Sequence, residues 1–140
     1  MSSNYPATLD TYGSEQAVAV QTELGTYAGR KFSKVTTAQT LTAADNNRVF
    51  LAAAANLVFT LPSTVEGLRF TFVTHTVSAG TGTSLSPAAA DAIHHTTSVD
   101  NKDLINSGAS DVEGDSVTVV GDGVDGWWVE SIFGTWAKES

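Results

Sequence analysis

From residue 34 onward, apolar and polar positions alternate in short runs. In residues 56–61, Leu57, Phe59 and Leu61 fall on one side of an extended strand, and Pro62 ends it. Successive strand side chains point to opposite faces, and proline lacks the N–H that a ladder needs. Residues 68–76 carry the clearest pattern, with Leu68, Phe70 and Phe72 facing inward and Arg69, Thr71 and Val73 outward. The Thr- and Val-rich residues 34–42, the short runs 48–51 and 84–86, and residues 115–120 and 127–132 read as further strands. Asp45-Asn46-Asn47 supplies turn chemistry, as does the Gly/Asp stretch 121–126, which joins two of these strands as a hairpin. Residues 88–114 are less regular, with Ile93, Leu104 and Ile105 expected to pin them to the core, and Gly134-Thr135-Trp136 closes the domain. Strands about ten residues apart with turn signals between them predict an all-β fold, an antiparallel β-sandwich or an open β-barrel. No internal repeat is visible.

Residues 1–31 fit neither template and read as an N-terminal arm ahead of a single β domain over residues 32–140. The arm carries Tyr5, Tyr12 and Tyr27, and a segment where Val18 and Val20 alternate with small or polar residues. That segment suits an edge strand, and a two-turn helix is also open to it. With a basic end at Arg30-Lys31, the arm has the makings of an extended segment that orders on a partner. A disordered tail is the plainer alternative.

A chain of 140 residues can bury one core without disulfides or metal staples, and it contains no cysteine. Charged residues make up 16%, below the usual quarter, which suits a turn-rich β protein with weakly charged strands. Seven basic residues against fifteen acidic ones leave a net charge of −8, the wrong sign for a phosphate-binding surface, so nucleic acid is excluded as a partner. The charge is also uneven, with Arg30, Lys31, Lys34 and Arg48 early and many carboxylates after Asp100. The longest apolar run, residues 49–55, is too short to span a bilayer, and no basic, apolar leader precedes Arg30. The expectation is a chain that folds in the cytoplasm of its producer and has no membrane partner.

Candidate chemistry is sparse. His94 and His95 are adjacent, so on a strand they would point apart, and they read as exposed loop histidines rather than metal ligands; His75 could join them only through tertiary proximity. Asp122 and Asp125 hint at a calcium loop, but the spacing and distal glutamate of an EF-hand are missing, and a hairpin turn needs the same residues. No Gly-x-Ser-x-Gly elbow exists, and the crowded carboxylates read as a solvated face rather than a hydrolytic pair. The reading is of a non-enzyme without metal or cofactor. Trp127 and Trp128 must face opposite ways, so at most one joins the core and the other meets a neighbour, solvent or a sugar.

Thr40-Leu-Thr-Ala-Ala-Asp-Asn-Asn-Arg-Val-Phe50, Phe59-Thr-Leu-Pro62, Glu66-Gly-Leu-Arg-Phe-Thr-Phe72 and Gly114-Asp-Ser-Val-Thr-Val-Val-Gly-Asp-Gly123, with Trp127-Trp128, follow one another in an order that resembles small β-structured proteins of tailed-phage particles. Among these the chain looks most like head decoration (cement) proteins, over roughly residues 36–136. The resemblance implies a virion protein on the outer surface of the capsid, bound to the major capsid protein, often as a homotrimer, bracing the expanded shell. Contact candidates are then Tyr5, Tyr12, Val18, Val20, Tyr27, Arg30 and Lys31 of the arm and whichever of Trp127 and Trp128 faces out. Similar domains occur in phage tails and fibres, so a glycan-binding module there is the alternative.

Overall fold

A computed structural model describes residues 30–140. The strands in chain order are β1 (Lys31–Val35), β2 (Gln39–Thr40), β3 (Arg48–Ala52), β4 (Val58–Thr60), β5 (Arg69–Thr74), β6 (Gly82–Ser86), β7 (Ala92–His94), β8 (Leu104–Ser107), β9 (Ser116–Gly121), β10 (Gly126–Phe133) and β11 (Trp136–Lys138). They build a six-stranded sheet, ordered β1-β3-β5-β9-β10-β7, and a five-stranded sheet, ordered β11-β8-β6-β4-β2. The fold is all-β.

From β1 to β9 the chain changes sheet at every step. In three places two changes return it to the sheet it left, running in its former direction, so that β3 lies parallel to β5, β2 to β4 and β4 to β6. Strand β7 also lies parallel to β10, while β5–β9, β9–β10, β6–β8 and β8–β11 are antiparallel. The expectation of antiparallel sheets is therefore corrected to sheets of mixed topology. Parallel neighbours need a crossover between them; for β2–β4, β3–β5 and β4–β6 it is one strand of the other sheet, and for β7–β10 it is β8 followed by β9. Residues 34–42 are not one strand either. The chain leaves the six-stranded sheet after Val35 and enters the other at Gln39. Asn47 takes the left-handed conformation expected of the 45–47 turn, at φ 62°, after a single 3-10 turn capped by Thr42.

Both sheets share one apolar core. Phe59 of the five-stranded sheet meets Phe50 and Phe72 of the other, at ring separations of 5.5 and 4.9 Å. Phe70 meets Trp127 at 5.5 Å. Ile93 and Leu104 are buried as expected, whereas Ile105, next to Leu104 on β8, takes the other face and is only half-buried.

Beside this core lies a buried polar node. Asn106 on β8 accepts from the Thr74 hydroxyl at 2.6 Å and donates to the Asp115 carboxylate and the Thr135 carbonyl, both at 2.9 Å. The same Asp115 oxygen accepts from the Val112 N–H at 3.0 Å. Gly134, at φ 92°, passes so close to this carboxylate that a Cβ there would collide with it. The node thus ties the end of β5 and the approach to β9 to the opposite sheet.

Replacing Asn106 with Leu keeps the bulk but leaves the buried Thr74 hydroxyl without its acceptor and removes a donor from the buried Asp115 carboxylate. Stability in urea should fall by about 2 kcal/mol or more, since buried groups left unsatisfied cost about 1–3 kcal/mol each. A change under about 1 kcal/mol would show that the node does not hold the sheets together.

Candidate interaction surface

The outer face of the six-stranded sheet is set by cross-strand register, because residues directly opposite one another share a face. Three rows cross it. Leu51, Val73, Ser116 and Phe133 align in one, and Val49, Thr71, Thr118 and Ser131 in the next. Arg69, Val120, Trp128 and His94 form the third. On β1, the last strand of this sheet among the described residues, Val35 packs against the core, so the alternating Phe32 and Lys34 belong to this outer side. The face is therefore rich in apolar side chains, with Phe133 68%, Phe32 62% and Trp128 51% exposed.

A β-bulge decides part of this arrangement. Register shifts between Val129 and Ser131 on β10, leaving Glu130 as the extra residue. One extra residue reverses the alternation beyond it, so Phe133 joins Trp128 on the outer face. Glu130 reaches across to Arg69, with Oε1 accepting from the guanidinium Nε at 2.6 Å. The Thr71 and Thr118 hydroxyls, 2.7 Å apart, hydrogen-bond in the centre of the face.

Trp128 is held in one orientation. Its indole N–H donates to Asp122 Oδ2 at 2.7 Å. The other Asp122 oxygen accepts from the N–H groups of Val124 and Asp125 at 2.8 Å and of Gly126 at 3.0 Å. The hairpin turn is thereby closed by the same carboxylate that fixes the tryptophan. These donors, the Gly126 and Val124 N–H groups foremost and then the indole, hold the Asp122 carboxyl far below the usual carboxylate range. His94 stacks on the indole at 4.1 Å with 15° between the ring planes, and its Nδ1 lies 2.7 Å from the Ser98 hydroxyl. The expectation of an exposed loop histidine is corrected here, since His94 ends strand β7 and is half-buried. Gly126 makes that pairing possible, because its Cα passes where a Cβ would strike the Ala92 backbone.

Trp127 is the inward tryptophan and is fully buried, which leaves Trp128 as the outward one. Lys31 opens strand β1, and Arg30 and Lys31 both interact with other groups of the chain. Tyr5, Tyr12, Val18, Val20 and Tyr27 lie outside the described residues. Phe32 and Phe133 were not among the expected contact residues. Phe32 could have been noticed as a lone aromatic in a polar run, but no sequence signal announces the bulge that turns Phe133 outward. Among the described residues, no three His, Asp or Glu side chains converge as metal ligands.

Compared with known proteins, the chain matches no family model and no curated sequence.

Of the three tryptophans, only Trp128 should react quickly with N-bromosuccinimide, because Trp127 and Trp136 are buried. Its near-UV circular dichroism should persist as the pH falls through the ordinary carboxylate range. A depressed folded pKa keeps its contribution until the pH passes below that folded value. Asp122→Asn should weaken the same signal at neutral pH. Equal reactivity of two tryptophans, or loss of the signal near pH 4, would contradict the geometry described.

Proposed function

We propose that this chain is a non-enzymatic structural protein of a tailed-phage virion, decorating the outer capsid surface as a non-covalent clamp on the major capsid protein. The single observation behind the reading is the outer sheet face, where Phe32, Trp128 and Phe133 are exposed on a rigid β framework. A sheet face that carries several exposed large apolar side chains is a candidate interaction surface. Large aromatics held by a scaffold make effective anchors, because little side-chain freedom remains to be lost on docking. In this account the two sheets pack face to face as a sandwich rather than closing into a barrel. The order of strand and turn segments resembling cement proteins supplies the particular setting, including assembly as a homotrimer. Net charge −8 favours the outside of a shell filled with DNA.

The N-terminal residues complete the clamp in this reading. They would add main-chain pairing and buried tyrosines to the contact, and many symmetric copies would make even a modest interface effective.

Co-sedimentation with parent capsids stripped of this protein tests the proposal. Wild type should pellet with the shells. Trp128→Ser with Phe133→Ser should weaken attachment by about tenfold or more while the body stays folded at the temperature of the assay. Removing residues 1–29 should weaken it by orders of magnitude while the body stays folded. Failure to bind capsids, together with specific retention on a glycan array, would replace this reading with that of a glycan-binding module.

A further inference from the structure

Trp128 spends much of its bonding capacity on being held still. Its N–H is committed to Asp122 and one ring face is covered by His94, yet half of its surface is exposed. With one face under His94, an exposure of half means that at least part of the opposite ring face stays open. A tryptophan needed only for the core would be inward, like Trp127. One needed only to shield its neighbours would not require an anionic lock on its nitrogen.

The hairpin turn beside Trp128 is acidic. Asp122 and Asp125 lie in the adjoining turn, and the backbone of Glu66 packs against the same turn at Gly123. The basic residue in Trp128's row, Arg69, is neutralised by Glu130 at 2.6 Å. Three properties then coincide. An indole face attracts cations through its quadrupole. A carboxylate accepting the indole N–H polarises the ring further in that sense. The flanking carboxylates draw positive charge toward it over a longer range. A neutral pyranose would use the flat ring but gain nothing from the charge, and an anionic sugar would be repelled.

We propose that Trp128 is a docking platform for an arginine or lysine side chain of a protein partner, taken on the indole face opposite His94. The proposal rests on the docking reading above and gives the chemistry of the counterpart, a basic residue projecting from the partner surface. Arginine suits it better than lysine, because its planar guanidinium can stack on the ring while donating to Asp122 or Asp125.

The test is a titration of the full chain into fluorescently labelled, capped hexa-arginine, followed by anisotropy at several salt concentrations. Capped hexa-lysine, hexa-glutamate and chitohexaose are run as competitors. Hexa-arginine should bind, hexa-lysine should compete more weakly, and the other two should not compete. Trp128→Ala should weaken binding by about tenfold. Trp128→Phe, which keeps an aromatic face, should recover part of the loss, and Asp125→Asn should flatten the salt dependence. Far-UV circular dichroism establishes that each variant is folded, and Trp128→Phe serves if Trp128→Ala is not. Equal binding by wild type and both Trp128 variants would overturn the proposal, since the attraction would then be only that of an acidic protein for a basic peptide. Competition by chitohexaose would overturn it in favour of a sugar site. Capsid binding that survives Trp128→Ala would sink this inference alone, whereas peptide binding without capsid binding would sink the decoration reading alone.

Discussion

Strand β10 places two tryptophans side by side, and the pleat of a β-strand sends them to opposite faces. Trp127 enters the core against Phe70, and Trp128 stands on the outer face against His94. Fully burying an indole is among the largest single contributions available to a small core, about 3–5 kcal/mol by the cost of truncation. That burial fixes the rotation of β10, so the outward position of Trp128 is a consequence of the core and not of its own contacts. Asp122 then converts an outward side chain into an oriented one by closing the turn and holding the indole N–H together. Beyond Val129 the bulge turns Phe133 to the same side.

Two kinds of contact hold the sheets in relation to each other. Phe59 against Phe50 and Phe72 supplies non-directional attraction. The Asn106 node supplies direction, because its hydrogen bonds to Thr74 at the end of β5, Asp115 before β9 and Thr135 before β11 are satisfied only when β8 has its observed position against them. An apolar core alone tolerates sliding, and a polar node that must be satisfied does not. Together they give a firm base beneath the outer face.

Alternation revealed the strands whose inner faces are strongly apolar. Leu57, Phe59 and Leu61, and Leu68, Phe70 and Phe72, lie inside as their spacing indicated. The left-handed Asn47 and the hairpin at residues 121–126 follow equally from local chemistry. What stayed hidden was non-local. Turn residues reverse or bend a chain without specifying which sheet the next strand joins, so the repeated sheet changes and the parallel pairs they create were not readable. Residues 34–42 looked continuous because threonine and valine favour extended backbone wherever it lies. Strand β7 is too short for periodicity to register, which hid the His94–Trp128 stack. The opposition of Trp127 and Trp128 was legible, but which one faces outward depended on the register of β10 against β9.

The face that results combines exposed aromatics, a neutralised Arg69–Glu130 pair and an acidic end at the hairpin turn, all on one side of one sheet. We propose that this side meets the capsid. Hydroxyl-radical footprinting of the protein free and bound to capsids addresses it most directly, because side-chain oxidation reports solvent access residue by residue. Binding should suppress oxidation of Trp128, Phe133 and Phe32 while leaving Val58, exposed on the other sheet, unchanged. Equal oxidation of Trp128 and Phe133 in the two states, with protection at Val58 instead, would contradict the account.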